Sequence, residues 1–398
     1  MTAAPALDRG YAWVIVGISL YGVTVSMLVR FVFPVLLVLF LSEFGWSRTV
    51  LSGVFSLHLL AYGVVAPWVG HAVDRWDRRL VLVAGGVGLG LTLGLLPSIS
   101  SAPELYVVYG VLGGVSASAL GLVPHTKIVA QWFVRRRGLA LGFMVSGIGL
   151  AMLLVPVVQR ALAGLGWRVA LGGLAVAVVA TVCPLAWLGQ REPPRLVPGD
   201  GLRVPSSWRR LQDPAFRGVA LAFACFGCFA HLVIAHEVAL LMDLGYGARL
   251  AGLAVAAVGI MSLVANVVWG GIADRWGPKT ASLAAFAVCF ASVVVLLGLT
   301  PTTHPGWVVL QVLLFGLAFG TPTALSALAA HRFGGNQFGQ AFGIITLVFS
   351  VGSVLGPLAA GAVHDWSGGY TWSFILVAAI VLAGGLAAWR GAVVPVVS

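Results

Sequence analysis

Apolar residues fill this chain in twelve blocks, each closed by a short polar or charged turn. A helix needs about 20 apolar residues to cross a bilayer. The blocks predict spans over 11–41, 48–70, 80–100, 104–131, 137–161, 167–189, 217–243, 247–271, 280–300, 306–331, 339–362 and 370–390. The connections are short except at 191–216, where proline, arginine and polar residues crowd together and predict a cytoplasmic linker. The pattern reads as an all-α integral membrane protein with six-helix bundles over 1–190 and 217–398.

The turns themselves repeat. Gly70-His71-Ala72-Val73-Asp74-Arg75-Trp76-Asp77-Arg78-Arg79 returns 200 positions later as Gly270-Gly271-Ile272-Ala273-Asp274-Arg275-Trp276-Gly277-Pro278-Lys279. A second pair keeps nearly the same offset: Ala140-Leu141-Gly142 with Pro156, and Ala341-Phe342-Gly343 with Pro357. A repeat of this length points to a duplicated half-chain and two pseudo-symmetric bundles. Gly70 and Gly270 allow close packing where a helix reaches the cytoplasmic layer. Asp74 and Asp274 can pair with Arg75, Arg78 and Arg79, or with Arg275 and Lys279, or face the positive N-terminal end of a neighbouring helix. Each arrangement makes the two turns a latch at the cytoplasmic mouth; the plainer alternative is a basic loop resting on the membrane surface.

Composition agrees with a bilayer environment. Hydrophobic residues make up 60% of the 398 positions and charged ones 9%, against roughly 25% charged in a soluble domain. The net charge of +11 follows topology rather than a nucleic-acid partner. With the N-terminus inside, 17 of the Lys and Arg residues fall on the cytoplasmic side and 4 outside, which sets the orientation. Both termini are therefore expected in the cytoplasm, and the run from Tyr11 is expected to be a retained span rather than a signal peptide. Cys225 and Cys228 have redox-motif spacing, yet they lie inside a span and read as small packing side chains. The spaced glycines, such as Gly142 and Gly149 or Gly352 and Gly356, suit close helix contact.

The two copies of G-x-x-x-D-R-x-x-x-[RK] resemble the motif of the major facilitator superfamily, and with twelve spans and a basic central linker the likeness covers essentially the whole chain. Within that family several stretches are similar to the bacterial branch of monocarboxylate-type transporters. They are Asp8-Arg9-Gly10-Tyr11-Ala12-Trp13, Arg30-Phe31-Val32-Phe33 with Glu43-Phe44-Gly45-Trp46-Ser47-Arg48, Pro124 leading to Trp132-Phe133 and Arg135-Arg136-Arg137-Gly138-Leu139-Ala140-Leu141-Gly142, and His236 with Asp243-Leu244-Gly245-Tyr246. Val35 departs from the lysine of animal members, and the eighth span lacks their interior arginine and aspartate. The resemblance implies the major facilitator fold, with a cavity lined by the first and seventh helices.

A charged side chain at mid-bilayer costs about 2.5–3.5 kcal/mol on the insertion scale, so such residues default to functional candidates. Arg30 lies nineteen positions past Tyr11 and His236 nineteen past Arg217, which places them at similar depth. Arg30 offers a planar, permanently charged fork for a carboxylate, unless it snorkels to the outer headgroups. His236 can bind the same anion or carry the proton, unless it is a packing histidine. Glu237, the one acid well inside a span, is the alternative proton carrier. His125 and Asn266 complete the candidate substrate-binding set, although Asn266 equally suits a helix–helix hydrogen bond. Lys127 is expected to snorkel to the cytoplasmic side, and His58 and His231 to pack.

No nucleotide loop, metal-ligand spacing or nucleophile–base pair occurs, so neither an enzyme nor an ATP-driven pump is expected, and no cofactor or metal is called for. The expected function is secondary transport of a small organic anion, a monocarboxylate, with protons. It would proceed by alternating access in the cytoplasmic membrane, by a monomeric protein whose partners are substrate, protons and lipid. Efflux of hydrophobic or cationic compounds on the same fold, and a non-transporting membrane sensor, are the alternatives.

Overall fold

The computed structural model describes residues 7–193 and 209–393, apart from 244, 246, 247, 301, 336 and 368. For 48, 209, 235, 236, 238, 239, 242, 243, 248–256, 361, 364 and 365 it describes the backbone alone. Most of the expected linker, 194–208, and the side chains of His236 and Asp243 thus lie outside the described residues.

Among the described residues there is no strand, and twelve helices are long and apolar enough to cross a membrane. They are α1 (Tyr11–Phe44), α2 (Arg48–Arg75), α3 (Arg78–Leu95), α4 (Ala102–Trp132), α5 (Arg137–Leu165) and α6 (Trp167–Gly189), then α7 (Pro214–Asp243), α8 (Ala248–Trp276), α9 (Pro278–Leu297), α10 (Pro305–Phe333), α11 (Phe338–Ser367) and α12 (Thr371–Val393). The all-α, twelve-span architecture matches the expectation. With no water in the hydrocarbon layer, every backbone N–H and C=O needs an internal partner, and a helix supplies one within each segment.

One reading is corrected. The repeated motifs are not loops: α2 continues past 70 to Arg75 and α8 past 271 to Trp276, so Gly70, Asp74, Gly270 and Asp274 sit in closing helical turns. Hydropathy reports where lipid ends, whereas a backbone still gains by keeping its hydrogen bonds beyond that plane. The two turns then reverse by different chemistry. Asp77 caps α3, its carboxylate accepting from the Arg79 N–H at 2.9 Å. At the matching place Gly277 adopts φ 86, open to glycine at little cost, and Pro278 starts α9 where its missing N–H is harmless.

The chain forms two compact units. Unit 1 comprises Met1–Val134, Leu150–Gly201 and Gly335–Leu347; unit 2 comprises Arg135–Gly149, Leu202–Gly334 and Val348–Ser398. The opening turns of α5 therefore pack within unit 2, and those of α11 within unit 1. In unit 1, α4 is broken twice: residues Tyr106–Gly113 form a π-helical stretch, and Gly121 is extended at φ −88, ψ −151. In unit 2, α7 and α12 approach so closely that a Cβ on Gly218 would stand 2.7 Å from the Gly391 backbone nitrogen. Such contact lets dispersion hold helices together where lipid removes the hydrophobic drive.

Candidate functional site

Arg30 lies about three-fifths of the way along α1, three residues before Phe33, so both side chains leave the same face. On α2, Phe55, His58 and Tyr62 form a matching row. The Arg30 guanidinium sits over the Tyr62 ring at 4.4 Å. Phe33 stacks on Phe55 at 5.3 Å and meets Tyr109 at 4.5 Å. The Tyr109 hydroxyl donates to the Val29 carbonyl at 3.0 Å, tying the π-helical stretch of α4 to the residue before Arg30.

Arg30 is 9% exposed, yet its Nε and Nη2 have no hydrogen-bond partner. It does not snorkel to a membrane surface. A buried guanidinium ordinarily has a carboxylate or several carbonyl oxygens around it, because removing its hydration costs several kcal/mol. Here an aromatic face supplies the visible compensation, and that recovers only part of the cost.

The other expected site residues are distributed between the units. His125 on α4 is buried, with both ring nitrogens unpartnered. It lines a narrow apolar cleft with Tyr21, Gly22, Leu120 and Val182 in unit 1. In unit 2, Glu237 is 2% exposed and its Oε1 makes no hydrogen bond. Asn266 uses both ends of its amide within the bundle: Nδ2 donates to the Ser262 carbonyl at 2.7 Å, and Oδ1 accepts from the Thr323 hydroxyl at 2.7 Å. That is the helix–helix bond, leaving little for a ligand. The His231 Nδ1 lies 3.0 Å from the Gly227 carbonyl, one turn back on α7.

Of the two arrangements open to the inner motifs, the aspartates take the one that faces a neighbouring helix N-terminus. Asp74 accepts from the N–H groups of Gly339 and Gln340, at 2.9 and 2.8 Å, in the first turn of α11. Asp274 does the same for α5, accepting from Gly138 at 2.6 Å and Leu139 at 2.8 Å. Each carboxylate thus serves orphan donors at the positive end of a helix. Asp74 also pairs with Lys127, which is buried rather than snorkelling as expected. The arginines of the first turn look elsewhere: Arg78 donates to the Gln131 Oε1 at 3.2 Å, and Arg79 to the Gln190 carbonyl at 2.9 Å. Arg75, Arg275 and Lys279 are exposed, with Arg275 over the ring of Trp276. At these crossings glycine is required, since a Cβ on Gly70 would strike the Gly339 backbone and one on Gly270 the Gly138 backbone.

Residues 19–333 match the Major Facilitator Superfamily. The chain belongs to that family. It is a multi-pass membrane transporter, and within the family it falls in the monocarboxylate-transporter-like branch. Bos taurus "Monocarboxylate transporter 13" is 30% identical over 386 residues, covering 95% of this chain and 88% of the relative. Mus musculus "Monocarboxylate transporter 11" is 31% identical over 409 residues, covering 96% and 88%. The transporter also shares its fold with the proton:xylose symporter XylE, at TM-score 0.78 and 15% identity, over 97% of this chain and 96% of that one.

For this transporter, hydropathy alone could not find Tyr62 and Tyr109, because buried aromatics in a span look like packing. Their spacing was the available signal: Tyr62 follows His58 by one helical turn. No group of three or more His, Cys, Asp or Glu side chains able to hold a metal occurs among the described residues.

Proposed function

We propose that this transporter moves a small organic anion, a monocarboxylate, together with a proton across the cytoplasmic membrane by alternating access, with both termini inside. The observation that carries the reading is Arg30: a buried cation whose Nε and Nη2 donors lack an acceptor. A carboxylate supplies two acceptor oxygens in the plane of that fork and cancels the charge. Branch relatives named as monocarboxylate transporters support the same substrate class. Glu237 and its neighbour His236 are the proposed proton carriers on α7. Gly70, Asp74, Arg75, Arg78, Arg79, Gly270, Asp274, Arg275 and Lys279 form the proposed cytoplasmic gate, the two aspartates holding helix N-termini in one of two states.

Purified protein in liposomes should accumulate labelled pyruvate when an inward proton gradient is imposed, and Arg30→Ala should abolish that uptake. Undiminished uptake by Arg30→Ala would overturn the site. Efflux of a hydrophobic cation, the competing reading, rests on the unpartnered acid Glu237; it predicts drug resistance in expressing cells and no pyruvate uptake.

A further inference from the structure

His58 is wholly buried on α2, one helical turn before Tyr62, and therefore on the face that carries the Arg30 guanidinium. Its Nδ1 lies 3.0 Å from the Tyr109 carbonyl, while its Nε2 has no partner. A carbonyl oxygen can only accept, so the hydrogen of the neutral ring sits on Nδ1 and the lone pair on Nε2. The ring is held in that orientation by stacking on Tyr109 at 4.8 Å. The charged or titratable groups that face it among the described residues are Arg30 from α1, Tyr109 from α4 and Tyr62 from its own helix, and none is an acid.

Unit 1 thus buries two incomplete groups side by side: a cation with N–H donors and no acceptor, and an imidazole with a lone pair and no donor. A carboxylate and a proton complete both. We infer that His58 accepts the proton that accompanies the anion, its protonation being linked to occupancy of Arg30. A proton on Nε2 places a second positive charge near Arg30, which is costly while Arg30 is bare. A bound carboxylate cancels the first charge and removes that cost. Linkage is reciprocal, so a protonated His58 holds the anion more tightly by the same factor. On release the proton leaves Nε2 as the carboxylate leaves Arg30, and no bond other than N–H is made or broken. The inference rests on the anion reading above and places the coupling beside the anion, in addition to the carriers on α7.

The test is the affinity of the purified full-length transporter for pyruvate, which stays ionised throughout, measured by calorimetry between about pH 5.5 and 7.5. Because binding takes up a proton, wild-type affinity should strengthen as pH falls, by up to about tenfold per pH unit. His58→Asn keeps an N–H for the Tyr109 carbonyl but has no Nε2, and should bind pyruvate with a pH slope shallower than wild type by up to one proton. His304→Asn, which alters an exposed histidine at the start of α10, should keep the wild-type slope. If His58→Asn lowers the unfolding midpoint of the empty protein too far to be assayed, His58→Gln takes its place. A wild-type slope in the His58 variant overturns the inference and leaves the anion reading standing. Absence of pyruvate binding by the wild type, or binding by Arg30→Ala equal to wild type, overturns the anion reading and the inference with it.

Discussion

Lys127 and Asp74 form an ion pair inside unit 1 with side chains only 6% and 4% exposed, and the same ammonium donates to the Val73 carbonyl at 3.0 Å. This one carboxylate thereby fastens α2 to α4 and to the first turn of α11. Its counterpart in unit 2, Asp274, is exposed and receives the first turn of α5. The duplicated motif keeps its geometry while the burial of its carboxylate differs between the copies.

Removing one partner of a buried pair strands the other charge, at a cost of about 3–5 kcal/mol. Lys127→Met should therefore lower the unfolding midpoint in detergent sharply. The double variant Lys127→Met/Asp74→Asn should recover part of that loss, because no charge is left stranded, while the amide oxygen can accept from only one of the Gly339 and Gln340 N–H groups that the two carboxylate oxygens serve. Equal midpoints for the single and double variants would show that the pair carries no such charge penalty.

Asp274→Ala should be milder. It removes an exposed carboxylate that serves helix N–H groups, a loss on the scale of about 0.5–2 kcal/mol for a cap. Side-by-side thermal unfolding of Asp274→Ala and Asp74→Ala checks this ranking, and the reverse order would refute it.

Gly70→Ala and Gly270→Ala should each compromise folding and transport, since the added methyl meets backbone, which cannot rotate away. Overpacking costs about 1–3 kcal/mol where neighbours can shift, and here the neighbours are the close-packed turns at Gly339 and Gly138. By contrast Gly271→Ala, which meets nothing within 4 Å, should be neutral. The readout is the unfolding midpoint together with the initial uptake rate.

Tyr62→Phe keeps an aromatic face under Arg30 and should leave pyruvate uptake close to wild type. Tyr62→Leu removes it, forfeiting about 1 kcal/mol of cation–π attraction, roughly fivefold in apparent KM. An unchanged KM in Tyr62→Leu would mean that the ring does not orient the guanidinium.

The amino-acid order alone determined the number and approximate limits of the spans, since twelve stretches of apolar residues near 20 in length have one low-cost home, a bilayer. It also marked Asp74, Asp274 and Arg30, because a charge in or next to lipid is too costly to be incidental. Partners were another matter. Lys127 was expected to reach for the headgroups, and no local pattern reveals that an aspartate 53 positions away waits at the same depth. Nor does sequence show that the Tyr109 carbonyl, in a π-helical stretch, leaves His58 with one spare nitrogen. Hydropathy sums each segment's exchange with lipid and so is readable one residue at a time. Pairing of buried polar groups depends on which helices meet and at what register, and only the packed chain decides that.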